Sequence, residues 1–169
     1  MIFLTVGTQF PFDRLVKAVD KVWGDILADE EIFAQIGESK YEPVNFKATQ
    51  RMDAELFEKY IHNCSAIISH SGMGTIEAAL SNEKPMLVMP RLKNFGEVVN
   101  DHQAAIAKRF ESEGYLLAAY DENDIRKKLI ELKTFVPKKR INSSDKIINR
   151  ISQFLNSIEK ENDAFAAKR

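Results

Sequence analysis

Cys64 is the single cysteine among 169 residues. No internal disulfide can form, and no thiolate metal site can be completed from one such residue. A reducing compartment is the matching expectation. A surplus of charge is also missing: Lys+Arg 24 against Asp+Glu 25 leaves a net charge of -1. Binding to a phosphate backbone is driven by excess Lys and Arg, so nucleic acid is not expected as a partner. No apolar run approaches the ~20 residues that span a bilayer. The opening MIFLTVGTQF lacks the basic leader and longer apolar stretch of a signal peptide, and it reads as a buried strand. The expected location is the cytoplasm. Asn63-Cys64-Ser65 and Asn142-Ser143-Ser144 match the glycosylation acceptor pattern by letter, which without secretion means nothing. There is no internal repeat, low-complexity segment, interdomain linker or carboxylate cluster suited to a metal.

What is present is ordinary for a folded domain: 44% hydrophobic and 29% charged residues. A chain of this size buries roughly 70% of its unfolded surface and can hold a core without staples. Short apolar runs alternate with longer helical patterns. Ile2 to Val6 reads as a strand ended by Gly7, and Leu15, Val16, Val19, Val22, Trp23, Ile26 and Leu27 then recur at helical spacing. Further strands are expected at Ile32 to Ile36, Asn45 to Lys47, Ala66 to Ser69, Met86 to Met89 and Tyr115 to Ala118. Between them lie helices capped by Asp53, running over Ile76 to Leu80, and carrying Ala104 to Phe110 before Gly114. Asp121 and Asp124 are spaced as a capping box ahead of Ile125, Leu129 and Leu132. A last helix is expected over residues 144–158, followed by a polar tail at 159–169. This alternation predicts an α/β fold over residues 1–158, a single Rossmann-like doubly wound parallel sheet. Such sheets bind ligands beyond the carboxyl ends of their strands.

His70-Ser71-Gly72-Met73-Gly74-Thr75 follows a strand and opens a helix. Two glycines let backbone approach a ligand closely, and a helix start supplies free N–H groups suited to a diphosphate. Thr75 is placed to cap the helix or to bond a phosphate oxygen. The string is neither GxGxxG nor a P-loop, so it reads as a generic phosphate cradle or a plain strand–helix turn. The absent dinucleotide fingerprint also argues against an NAD-dependent oxidoreductase. The longer string ISHSGMGTIEAALSNEKPMLVMP, Ile67 to Pro90, resembles the C-terminal, donor-binding domain of family 28 glycosyltransferases. Pro90-Arg91, Phe95 to Gln103, Val6-Gly7-Thr8, Pro11 to Leu15 and Gln35-Ile36-Gly37 are similar to the small soluble subunit of bacterial two-component exopolysaccharide glycosyltransferases and its eukaryotic dolichol-pathway counterpart. The resemblance covers roughly residues 1–155.

In that family two Rossmann-like halves face each other across a cleft, the GT-B arrangement, and the C-terminal half grips the nucleotide-sugar. The resemblance therefore implies a donor-binding subunit of an inverting, UDP-sugar-dependent glycosyltransferase. It would transfer a hexose or hexuronic acid to a lipid-linked saccharide in exopolysaccharide or capsule synthesis. The implied partners are a UDP-sugar and a membrane-anchored acceptor-binding subunit, which would hold the chain at the inner membrane face; no cofactor or metal is implied. By the same likeness Ser71, Gly72, Met73, Gly74 and Thr75 would hold the diphosphate, and backbone groups of Gln35, Ile36 and Gly37 would read uracil. Asn100, Asp101, His102 and Gln103 would face the sugar and phosphates, Gln103 being the candidate for hydroxyl recognition, and Thr8 would line the same crevice. The family's acidic residue for the ribose falls on Ala78, with Glu77 one helical step away, about 100° round the axis. Glu77 either misses the ribose or serves as its ligand through a compensating shift of the turn, and the departure also admits a nucleotide-binding module without transferase activity.

His70 and His102 read either as diphosphate contacts when protonated or as hydrogen bonders that organise their loops. Arg91 reads as a phosphate ligand or an ordinary surface arginine. His62 reads as structural or solvent-facing. The catalytic base is unassigned and is expected on the partner. Lys138-Lys139-Arg140, with Lys133 nearby, reads as a bilayer contact or a solvated loop. The last helix serves either the core or docking on the partner.

Overall fold

A computed structural model describes residues 1–26, 30–139 and 148–158. The strands are β1 (Ile2–Thr5), β2 (Ile32–Gln35), β3 (Lys47–Thr49), β4 (Ala66–His70), β5 (Met86–Met89) and β6 (Leu117–Ala118). All pairings are parallel, in the order β3-β2-β1-β4-β5-β6. Parallel strands are joined by crossovers that cover both faces, which is why β1 and β5 are apolar and buried almost throughout. Alternate side chains feed two cores. Ile2 and Leu4 pack with Leu15, Val16, Val19, Ile125 and Leu129 from α1 (Asp13–Ile26) and α5 (Glu122–Leu132). Phe3, Ile67 and Val88 point the other way, towards α2 (Ala54–Asn63), α3 (Met73–Ser81) and α4 (His102–Ser112). Tyr60 of α2 stacks on Phe3 at 5.2 Å and on Phe33 at 4.5 Å between ring centroids, which seats that helix over β1 and β2.

Local signals behave as their chemistry dictates. Asp53 Oδ1 accepts from the Leu56 N–H at 2.7 Å, and Asp121 with Asp124 forms the expected capping box. Gly114, at φ +79°, ends the segment after α4. Three expectations shift. β3 lies at Lys47–Thr49 rather than 45–47, because Asn45 is held by Asp20 of α1: its N–H reaches Asp20 Oδ1 at 2.9 Å and its amide the Asp20 carbonyl at 3.0 Å. β6 contracts to two residues because the Tyr115 N–H is spent on Phe110 O. α3 begins at Met73, three residues early, since the Ile76 N–H already bonds Gly72 O at 3.1 Å. Gly72 is therefore the cap and Thr75 a buried residue of the first turn.

The chain divides into two compact units, Met1–Lys139 and Arg140–Arg169. In the second, residues 148–158 are helical, and Ile148, Ile151, Phe154 and Leu155 are exposed. Leu27, residues 144–147 of the expected last helix and the tail at 159–169 lie outside the described residues. The basic cluster is partly spent: Lys133 Nζ donates to Ile26 O at 2.6 Å and Lys139 pairs with Glu83 at 2.8 Å, while Arg140 lies outside the described residues. Among the described residues, no helix is long and apolar enough to cross a membrane.

Asp20 is the polar exception on the apolar face of α1, 2% exposed. Its carboxylate accepts from Tyr41 Oη at 2.7 Å, the Val44 N–H at 3.0 Å and the Asn45 N–H at 2.9 Å. Burial alone would raise its pKa, but these bonds together outweigh it and leave the group below the ordinary carboxylate value. Asp20→Asn removes the charge and an acceptor from this knot. It is expected to cost about 2 kcal/mol in urea unfolding and to speed amide exchange at residues 41–46 ahead of the rest of the domain.

Candidate functional site

The strand order reverses direction at β1. From β1 the chain runs outward through α1 on one face, and from β4 it runs the other way through α3 on the opposite face. The loops leaving β1 and β4 therefore part at their carboxyl ends, the place where sheets of this kind form a ligand crevice. Gly7 and Thr8 form one lip; His70, Ser71 and Gly72 form the other.

The His70 imidazole fills the floor. A Cβ on Gly7 would stand 3.0 Å from His70 Cε1, and one on Gly72 would stand 2.2 Å from His70 Nε2. Both positions thus require glycine, since the ring lies against backbone on two sides. The Ser69 hydroxyl donates to Thr5 O, so the 3.1 Å contact between Ser69 Oγ and His70 Nδ1 must use a proton on Nδ1. The Thr5 backbone also hydrogen-bonds the ring, which favours its charged form. Burial, reinforced by the nearby Arg91 cation, pushes the His70 pKa down to about 4. His70 is consequently uncharged at neutral pH in this structure, which removes the protonated diphosphate contact as a property of the ligand-free chain and favours its organising role.

Arg91 is also placed differently from both sequence readings. It is 3% exposed, and its Nη2 donates to Val6 O and Phe10 O, each at 2.6 Å. Burial lowers its pKa to about 10, against the opposing pull of Glu97, so it stays cationic. It lies behind the crevice, binding the loop after β1, and is neither a surface arginine nor turned towards a phosphate. Gln103 is buried too, with Oε1 accepting from the Arg91 N–H at 3.1 Å, so it ties the loop after β5 to the first turn of α4.

The segment Gln35 to Gly37 is largely spent within the fold. Gln35 Oε1 accepts from Thr5 Oγ1 at 2.7 Å, the Ile36 N–H bonds Thr49 O at 2.9 Å, and the Gly37 N–H bonds Gln50 O at 3.0 Å. Its backbone donors therefore cannot read a uracil, because the strand β3 and its exit take them.

The remaining candidates are brought together at the carboxyl edge. Thr8, Met73 and Gly74 are exposed, and the N–H groups of Met73, Gly74 and Thr75 head α3 with its positive dipole end. Ser71 is fully buried, and its hydroxyl has no partner among the described residues. At the head of α4, Asn100 Oδ1 bonds both the His102 N–H and His102 Nδ1, and Asp101 Oδ1 accepts from the Lys93 N–H at 2.7 Å. His102 itself is exposed. Glu77 is exposed on α3 and accepts from Ser81 Oγ at 3.4 Å, whereas Ala78 packs partly into the core. His62 is exposed and contacts Asn82 at 3.3 Å. Among the described residues no group of three or more His, Cys, Asp or Glu could hold a metal.

Sequence reasoning missed Arg14 and Glu97. Arg14, in the first turn of α1, donates from Nε to Glu97 Oε1 and from Nη2 to Glu97 Oε2, both at 2.9 Å. A signal was present: a cation in a first helical turn opposes the dipole and implies a dedicated anionic partner.

This architecture defines a Rossmann-like α/β domain. The chain belongs to the glycosyltransferase family 28 C-terminal domain family, which matches it over residues 1–161. It is 28% identical over 150 residues to the UDP-N-acetylglucosamine--N-acetylmuramyl-(pentapeptide) pyrophosphoryl-undecaprenol N-acetylglucosamine transferase of Prochlorococcus marinus (strain MIT 9215), covering 75% of this chain and 40% of that protein. It is also 28% identical over 127 residues to the UDP-N-acetylglucosamine transferase subunit ALG13 of Homo sapiens, covering 68% of this chain and 10% of that one. The chain thus spans less than half the length of these relatives. A solution structure of ALG13 shares the fold, with TM-score 0.60 and 16% identity, over 86% of this chain and 91% of that one. The kitacinnamycin glycosyltransferase shares it with TM-score 0.58 and 19% identity, over 79% of this chain and 34% of that one.

Two outcomes follow from the crevice floor. Gly72→Ala drives a methyl into the His70 ring and is expected to cost about 2 kcal/mol; His70→Ala in the same chain should recover most of it in a double-mutant cycle. The second concerns pH. A histidine held neutral in the fold is protonated first in the unfolded chain. Its effect is absent above the ordinary value of 6.5, stability falls as pH drops from there towards 4, and the loss levels off below. The loss is at most about 3 kcal/mol, and His70→Gln should flatten that part of the stability profile in urea titrations.

Proposed function

We propose that the crevice between Gly7 and Gly72 binds the diphosphate of a UDP-sugar, and that the chain is the donor half of a two-component inverting glycosyltransferase. The observation that carries this reading is the open head of α3 at the switch point, framed by two glycines, within a family 28 C-terminal domain. The three leading N–H groups of α3 and its dipole supply fixed positive potential where the leaving diphosphate gains charge. Thr8 on one lip and Asn100, Asp101 and His102 on the other border the same space. Glu77, on the exposed side of α3, is the ribose candidate.

The base that deprotonates the acceptor hydroxyl belongs, in this proposal, to a membrane-anchored partner subunit that recruits a lipid-linked saccharide. Supporting such a partner, Phe10, Met73, Phe95, Val99 and Tyr120 are all exposed on segments that leave the carboxyl ends of β1, β4, β5 and β6. A run of exposed apolar side chains along one edge marks an interaction surface. The chain would then act at the cytoplasmic face of the membrane, through that partner, in exopolysaccharide or capsule synthesis. The named relatives use UDP-N-acetylglucosamine. That donor is tested first, beside UDP-glucose and UDP-glucuronic acid, since the proposed transfer is of a hexose or hexuronic acid. A second reading, a nucleotide-binding module without transfer activity, draws on Ala78 standing where the family places an acid.

Calorimetric titration with UDP, ADP and NAD tests the proposal. UDP alone is expected to bind, with Kd on the order of micromolar to millimolar, about -8 to -4 kcal/mol. Gly72→Val should abolish it, and Glu77→Gln should weaken it. Preferential NAD binding, or UDP binding indifferent to Gly72→Val, sinks the assignment of the crevice.

A further inference from the structure

The loops that follow β1 and β5 flank the end of β4, although β1 and β5 are not neighbours in the sheet. They are nevertheless joined side chain to backbone, twice and in both directions. Arg91, at the end of β5, reaches back to Val6 O and Phe10 O in the first loop. Arg14, just beyond that loop, reaches forward to both carboxylate oxygens of Glu97 and to Pro90 O at 3.0 Å. Glu97 Oε2 also accepts from the Leu92 N–H at 3.0 Å, so one carboxylate closes its own loop and ties it to α1.

Phe12 contacts both cations. The Arg91 guanidinium carbon stands 5.0 Å from its ring centroid and that of Arg14 stands 5.5 Å away. The Phe95 ring covers Arg14 from the second loop at 4.5 Å. Glu97 serves both guanidiniums: it chelates Arg14, which Glu122 also approaches at 3.8 Å, and counters the burial of Arg91. The arginine fork offers directional bonds to carboxylate and carbonyl at once, which a lysine could not match.

We propose that Arg14, Glu97 and Phe12 form with Arg91 a latch that holds the β1–α1 and β5–α4 loops as one unit, with Arg14 and Glu97 acting as positioning residues for the crevice. Glu97 sets where the loop carrying Asn100, Asp101 and His102 stands relative to Gly7 and Thr8, the opposite lip. The loop coupling stands on the observed bonds alone; its effect on nucleotide rests on the donor-binding reading above.

The test compares the full chain with Glu97→Gln and with the double variant Arg14→Met/Glu97→Leu, which replaces the ion pair by apolar side chains. Breaking one side of a buried pair should lower Tm by about 10 °C, whereas the double replacement should recover part of it, since Glu97 also counters the burial of Arg91 and accepts from the Leu92 N–H. Hydrogen exchange is read by segment under conditions where each variant is folded. In Glu97→Gln, residues 6–12 and 91–103 should both exchange about tenfold faster, with β2 and α2 unchanged. UDP affinity should fall about tenfold in Glu97→Gln and stay low in the double variant despite its partly recovered Tm. Faster exchange confined to residues 91–103 would overturn the coupling. A double variant with both the Tm and the UDP affinity of the parent would reduce the pair to a stabilising contact. If the parent chain binds no UDP, the donor reading fails while the exchange data still decide the latch.

Discussion

A parallel sheet that reverses its winding at a central strand must leave a gap, and the rest of this protein is arranged around that gap. Right-handed crossovers send α1 and α3 to opposite faces, so the backbones leaving β1 and β4 separate where strands would otherwise pair. The floor of the gap is closed by His70 itself, the last residue of β4. Its ring can lie flat there because both flanking residues lack a Cβ. The same packing strips the imidazole of water and keeps it neutral. Steric fit and charge state are thus two consequences of one close approach.

Around that floor the buried polar groups hold loops in place. Asp20 gathers the segment that follows β2, Arg91 and Gln103 tie the start of the β5–α4 loop inward, and Arg14 with Glu97 fixes its middle. Each would be costly if unpaired, so each specifies one loop conformation rather than merely adding stability. The consequence is that the loop leading to α4 and the loop after β1 are held in position by bonds within the fold.

The elements were legible because their signals are local. Asp53 and the Asp121–Asp124 box act within one helical turn, and the apolar runs of β1, β4 and β5 report burial on both faces directly. The shared strings Val6-Gly7-Thr8 and His70 to Thr75 lie side by side at the carboxyl ends of the first and fourth strands. Less legible was the work of individual side chains. Gln35 and the N–H groups of Ile36 and Gly37 looked available, yet Thr5, Thr49 and Gln50 occupy them. The third strand was read two residues early because Asn45 looks extended in isolation, and only its capture by Asp20 keeps it out of the sheet.

Residue order alone determined the alternation of strands and helices, the caps, the glycine turn at the head of α3 and membership of the family. All of these depend on residues a few positions apart, or on whole strings. Tertiary structure decided which polar groups remain free for a ligand. Arg91 meets Val6 across 85 positions, Arg14 meets Glu97 across 83, and Gln35 meets Thr5 across 30. No local pattern encodes such a pairing, since it exists only once the sheet has set distant loops side by side. Burial at that point changes what each group can do: it turns Arg91 from a phosphate candidate into a loop anchor and His70 from a cation into a neutral ring.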